Sequence, residues 1–183
     1  MENIAALLLA LAVMPLWVAA GLADWYCHRR TAIEATSGWR ESAFHLLLFA
    51  QMGLAGLGVL FLEVNALLVA LVGLLWLAHE ACTWLELRYV VPRREVRPVE
   101  QMIHSFLELL PLVALALLLL LAASDPLGLS SPEQWRLRPK EEPLPAGQAL
   151  GVLGTIFVFN VVPLLEEAWR CWSARTALPD GEE

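Results

Sequence analysis

Apolar positions in this chain come in long runs, without the alternating or every-third-residue patterns of soluble elements. Five windows of roughly twenty residues lie near 4–23, 43–62, 64–85, 105–123 and 146–165. Each is long enough to cross about 30 Å of hydrocarbon as a helix. With their polar flanks they predict transmembrane helices near 4–30, 39–62, 64–90, 98–123 and 146–174. The breaks between the runs differ in kind. "RRTAIEATSGWRE" contains Gly38 and the turn-forming pair Thr36-Ser37. Little more than Glu63 and Asn65 separates the second run from the third, which predicts a tight helical hairpin. "VVPRREVRP" sets prolines and Arg93, Arg94 and Arg97 between the third and fourth. Residues 124–145 are polar and proline-rich, and read as an irregular extracytoplasmic loop. The end of the chain, "ALPDGEE", reads as a solvated tail.

The expected fold class is all-α, a polytopic membrane bundle of five helices forming one domain over 1–183. The first run lacks the basic flank of a signal peptide, so it is expected as a retained helix. Arg29, Arg30, Arg40, Arg88, Arg93, Arg94, Arg97, Arg170 and Arg175 fall at one set of helix ends, and Arg136, Arg138 and Lys140 at the other. The positive-inside rule then places the N-terminus outside and the C-terminus in the cytoplasm, as in a bacterial inner membrane.

Composition agrees. The chain is 58% hydrophobic and 17% charged, against about 45–50% and about 25% for a soluble domain. Its mean hydropathy is +0.61. Eight tryptophans suit an interfacial belt. A net charge of −7 excludes the basic footprint of a nucleic-acid binder. Cys27, Cys82 and Cys171 form no disulfide framework and read as small apolar residues on the reducing side.

Against this apolar background, every histidine has an acid at helical spacing. Asp24/His28, Glu41/His45 and Glu100/His104 are four residues apart, and His79/Glu86 seven, so each pair shares one helix face. Glu108 extends the last stripe by a turn, Thr83 joins the His79 face, and Glu80 points elsewhere, toward Arg88 or Arg93. Glu34 lies off the ligand face of His28 unless the chain turns at Thr31, and ranks as a secondary candidate ligand. Of Glu166 and Glu167, one should pair with Arg170 while the other faces the cluster beside Asn160. A single acid near a helix N-terminus is ordinarily a solvated first turn favoured by the dipole. That account fails for Asp24 and Glu86, which lie at C-terminal ends. In an up-and-down bundle all these groups reach one depth near the cytoplasmic face, and ionisable groups inside a membrane mark functional sites.

Mixed imidazole and carboxylate donors suit iron, manganese or zinc. The inventory resembles that of integral-membrane dimetal proteins, the diiron oxidases and oxygenases, in ligand logic alone. The spacing is i+4 where ferritin-like bundles use i+3, and the histidine-rich clusters of membrane desaturases need about twice as many histidines. "DWYCHRRTAIEATSGWRESAFH" with "RREVRPVEQMIHSFLELLP" also resembles a recurring bacterial membrane family to which no activity attaches. The resemblance implies two divalent ions, most suitably iron, held by Asp24, His28, Glu41, His45, His79, Glu86, Glu100 and His104. Glu41 and Glu100 would be bridging or terminal ligands, and Glu80, Glu108 and Glu167 are the carboxylates available for proton transfer. The implied activity is oxidation of a lipid-soluble substrate (an acyl chain, isoprenoid or quinone) with an electron-donor protein. The alternatives are a zinc hydrolase of a lipid ester or amide, a haem protein with two axial histidines, a metal carrier, and a polar core that serves folding alone. The Glu-Glu pair near Arg170 resembles a prenyl-protein endopeptidase motif but lacks its histidine partners. The arginines at the cytoplasmic mouth lie where anionic lipid headgroups bind, although topology alone accounts for them.

Overall fold

The chain forms five helices long and apolar enough to cross a membrane. They are α1 (Ile4–Thr31), α2 (Gly38–Phe61), α3 (Ala66–Val90), α4 (Pro98–Ala123) and α5 (Ala146–Arg175). This computed structural model describes residues 2–123 and 131–177. The first part of the expected loop, 124–130, and the tail from 178 lie outside the described residues. No named strand occurs among the described residues; a single bridge joins Leu62 to Pro139.

The helices pack as a closed ring in the order α1, α4, α3, α2, α5 and back to α1. Because the chain runs up and down, every neighbouring pair is antiparallel except α5 and α1. The outside of the ring is apolar and uncovered by protein: Leu11 is 73% exposed and Leu150 69%. A surface of that kind is stable against lipid tails and not against water. One end of the interior is also apolar, with Ala55, Leu68, Val69, Val72, Leu118 and Ala122 packed together. The other end buries charge, with His28, Glu41, Glu100 and Glu167 all at 0–1% exposure.

Proline explains the irregular turns. A proline clashes with the carbonyl four residues earlier and removes one helical hydrogen bond. Pro15 and Pro163 are each preceded by a widened π-helical segment, Leu9–Val13 and Phe157–Val161, containing the carbonyls of Leu11 and Phe159 that would otherwise clash. The second segment turns Asn160 inward, where it is buried and donates from Nδ2 to the Val18 carbonyl at 3.2 Å. This contact requires Gly21 on α1: a Cβ there would stand 2.4 Å from Asn160 Nδ2. Between α1 and α2 the chain reverses through Ala32 in the left-handed region (φ 51°) and a 3₁₀ turn, Ile33–Ala35, with Ile33 fully buried.

The loop expected to be irregular has a docked second half. Asn65 caps α3, accepting from Leu68 N at 3.0 Å, and donates from Nδ2 to the Arg136 carbonyl at 2.7 Å. Gln134, fully buried, accepts from Ala66 N at 3.1 Å. Glu63 N donates to the Arg138 carbonyl and Lys140 N to the Phe61 carbonyl, at 2.9 and 3.0 Å. The loop therefore satisfies backbone groups of the α2–α3 hairpin that would otherwise meet the bilayer surface unpaired. Asn65→Ala removes both the cap and the tether, and should cost about 1–2 kcal/mol. A thermal melt of the purified protein in detergent measures this, and an unchanged melting temperature would refute the cap's role.

Candidate metal centre

The helix ends that carry the arginines converge on one buried cluster. Asp24 and His28 come from the C-terminal part of α1 and Glu41 and His45 from the start of α2. Glu86 comes from the end of α3, Glu100 and His104 from the start of α4, and Glu167 from α5. All but Glu167 were placed on an inward face by spacing, yet the close partners lie across helices. His45 Nε2 stands 2.7 Å from Glu86 on α3, and 4.0 Å from Glu41, its own-helix acid. His104 Nε2 meets Asp24 of α1 at 2.9 Å.

Glu167 organises the centre. Its Oε2 lies 3.0 Å from His28 Nδ1 and its Oε1 2.7 Å from His45 Nδ1. The two rings stack with centroids 4.5 Å apart and planes 4° apart. An ionised carboxylate only accepts, so both Nδ1 atoms carry protons, and His28 Nε2 is left with a lone pair when its ring is neutral. His45 Nε2 instead meets a second carboxylate, Glu86, at 2.7 Å, a contact made either as a donor or by sharing a cation. One glutamate thus fixes the tautomer and orientation of two imidazoles, as carboxylates do behind metal-bound histidines. It had been expected among the proton-transfer groups; its contacts give it an orienting position.

His28 Nε2 is buried without a close hydrogen-bond partner, while Asp24 Oδ1 is engaged by His104. Nε2 stands 3.5 Å from Asp24 Oδ1 and 3.4 Å from Glu100 Oε1. Those separations are long for charge-assisted hydrogen bonds. They match two donors sharing one ion at about 2.1 Å each, which stand roughly 3–3.5 Å apart. Three overlapping sets of donor atoms lie within 4.8 Å: Asp24, His28 and His45; His28, Glu100 and His104; and Glu41, His45 and Glu86. By donor chemistry and spacing, these sets could hold divalent ions.

Arg94 had been read as a topology signal and as one of the arginines at the depth of lipid headgroups, and its inward place is the main departure from that reading. It turns inward from the α3–α4 connection, its side chain 4% exposed, and binds both Glu41 and Glu100. Its Nη1 donates to Glu100 Oε2 at 3.1 Å and its Nε to Glu41 Oε2 at 3.1 Å. Burial pulls the guanidinium's pKa down, and the hydrogen bonds it donates to Glu41 and Glu100 more than reverse this, so it is held above its ordinary value and stays charged. Ser37 donates to Glu41, and the Tyr89 hydroxyl fixes the Ser37 carbonyl at 3.0 Å. Glu41 and Glu100, expected as metal carboxylates, are therefore shared with a guanidinium. The available signal was weak: a connection of only seven residues, 91–97, keeps its arginines near the mouth of the ring.

The other candidates separate from the cluster. Glu34 pairs with Arg170. Glu166 faces outward to Trp25, Arg29 and Arg170, at 2.8, 3.1 and 3.4 Å. Glu80 neighbours Glu108 on the α3–α4 side, while Arg88 and Arg93, its expected partners, cover the rings of Trp84 and Tyr89 at 4.7 and 3.8 Å. His79 joins none of the three donor sets; with Glu108 it lines a cavity beneath the cluster, walled by Trp17, Phe49, Met52 and Leu164. The cysteines are free thiols and enter no donor set among the described residues.

Five carboxylates and one guanidinium leave a formal charge of −4 before the imidazoles are counted. Two divalent ions would cancel it, a condition a low-dielectric site favours strongly.

The fold and site together define a five-helix, membrane-spanning type of chain enclosing an imidazole–carboxylate centre. No protein-family model matches it, and no curated protein or solved structure does either.

Arg94→Met should destabilise the protein by about 3–5 kcal/mol, because it strands two buried carboxylates. Arg97→Met, on the exposed part of the same connection, should stay within about 0.5 kcal/mol. Chemical denaturation of both variants compares them, and equal effects would mean that Arg94 is a surface residue in practice.

Proposed function

We propose that the protein is a membrane-embedded, metal-dependent oxidoreductase with a dimetal centre, most suitably diiron, acting on a lipid-soluble substrate. The single observation that carries this reading is His28, buried with Nδ1 held by Glu167 and Nε2 unpartnered before Asp24 and Glu100. Iron is favoured because imidazole and carboxylate donors occur together without thiolate in the set. A pair of redox-active ions would supply one-electron steps and a place to reduce dioxygen.

The residues have separate tasks. His28, His45 and His104 would donate from Nε2, with Asp24 and Glu86 as carboxylate ligands. Glu41 and Glu100 would ligate while Arg94 offsets their excess charge. Glu167 would keep the rings of His28 and His45 in place through changes in metal charge. Glu108, in the cavity wall, would move protons for a bound substrate. The apolar part of that cavity favours a lipophilic occupant, whether acyl chain, isoprenoid or quinone. The arginine-bearing end would face the cytoplasm of a bacterial inner membrane, with the N-terminus outside, where a soluble electron-donor protein could reach the centre.

The zinc-hydrolase reading uses the same ligands, with a free carboxylate as general base. Metal analysis of the purified chain separates the readings. Two irons per chain with a near-ultraviolet shoulder support the proposal. Stoichiometric zinc in a colourless protein moves it to hydrolysis, and a Soret band to haem. Protein that binds no metal leaves a polar core that serves folding. His104→Ala should lose at least half the bound metal, and full occupancy in that variant would remove His104 from the ligand set.

A further inference from the structure

Beneath the metal centre, the cavity holds two polar atoms that the proposed dimetal chemistry does not use. His79 on α3 and Asn160 on α5 are each 7% exposed, and both line this cavity. His79 Nδ1 and Asn160 Oδ1 are buried with no hydrogen-bond partner among the described residues.

Their depth is fixed by the centre above them. Glu86 and Glu167 both contact His45 at 2.7 Å, so they stand at one level. His79 and Asn160 each precede one of these glutamates by seven residues, on helices that run in the same direction. At 1.5 Å of rise per residue both lie about 10 Å deeper in the membrane. They therefore share one layer, on two helices that α2 separates in the ring.

Their hydrogen-bonding character is also fixed. Asn160 gives its amide Nδ2 to the Val18 carbonyl, which can only accept, so Oδ1 is the end left without a partner. His79 packs beside the backbone of Leu48 in α2, whose N–H is used by its helix, so the carbonyl is the group available to the ring. A ring nitrogen turned to that carbonyl carries the proton, which leaves Nδ1, the nitrogen with no partner, as an acceptor. The cavity thus presents two buried acceptors, and Glu108 adds a third in its wall. Leaving such acceptors without a donor in an apolar site is costly. Around them Trp17 and Phe49 stack across α1 and α2, with centroids 5.9 Å apart, and supply a flat aromatic wall.

The geometry points to a binding site for a lipophilic dihydroxy aromatic compound, the hydroquinone class, with one hydroxyl donating to His79 Nδ1 and the other to Asn160 Oδ1. An acyl chain offers no donors here, an isoprenoid alcohol offers one, and a quinone offers only acceptors. The site discriminates the reduced from the oxidised form because acceptor facing acceptor binds poorly. The assignment rests on the oxidoreductase reading for its chemistry. A hydroquinone releases two electrons and two protons as it becomes the quinone. Two of them reduce one dioxygen to two waters, with no further reductant. The quinone formed has lost both donors and leaves.

The test is binding, measured anaerobically on the full chain in lipid nanodiscs by equilibrium dialysis. The probes are a decyl-tailed benzoquinol, its quinone, and decanol. The benzoquinol should bind at least tenfold tighter than either of the others. His79→Phe and Asn160→Leu should each weaken it about tenfold, the effect of one neutral hydrogen bond, with the metal content unchanged. Quinone binding as tightly as benzoquinol would overturn the proposal, as would wild-type affinity in both variants. The wild-type ratio decides the matter even where a variant fails to fold. Discrimination in a protein that binds no metal would retain this site and remove the oxidase reading. Metal binding without discrimination would do the reverse.

Discussion

Charge buried in a medium of low polarity constrains this protein more than any other feature. An isolated carboxylate or imidazolium inside a membrane bundle costs several kcal/mol even after relaxation. Asp24, Glu41, Glu86, Glu100 and Glu167 are all brought to one end of the ring with His28, His45 and His104. Such a group is tolerable only when every member faces a compensating partner, so the positions of the helices are no longer independent. His45 alone connects α2 to α3 through Glu86 and to α5 through Glu167. His28 connects α1 to α4 and α5, and His104 connects α4 back to α1. The pairs follow four of the five packing contacts of the ring, all but that of α3 with α4. In lipid, where burial of apolar surface gives helices little reason to associate, such polar links help to set the arrangement.

The two ends of the bundle carry this division of labour. The apolar end packs small and branched side chains and is closed over by the docked half of the 124–145 loop. The charged end is closed by Arg94, whose charge answers Glu41 and Glu100 from the mouth. Between the ends lies the cavity of His79 and Asn160, and the proline-linked π segment of α5 is what aims Asn160 into it. A regular α-helix would carry the same residue at a different angle, and π segments recur at functional sites for that reason.

Much of this was written linearly. Long apolar runs determine five spanning helices, because a bilayer demands a fixed length of satisfied backbone. The acid–histidine spacings determine which faces turn inward, because a helix repeats every 3.6 residues whatever surrounds it. The near-contact of the second and third runs determines a hairpin, and Asn65 stands where its cap is needed. These features depend on neighbours in the chain, and so the amino-acid order alone specifies them.

Only the tertiary structure decided which acid meets which imidazole. Spacing pairs Glu41 with His45 and Glu100 with His104, yet the short contacts run from His45 to Glu86 and from His104 to Asp24. It also separated Glu167 from the adjacent Glu166 by 100° of helix rotation, turning one to the centre and the other to Trp25 and Arg29. Arg94 changed from one arginine among nine at that end into the counter-charge of two buried glutamates. Each of these outcomes depends on the distance between segments far apart in the chain. That distance is set by the order of helices around the ring, and no periodicity within a single helix encodes it.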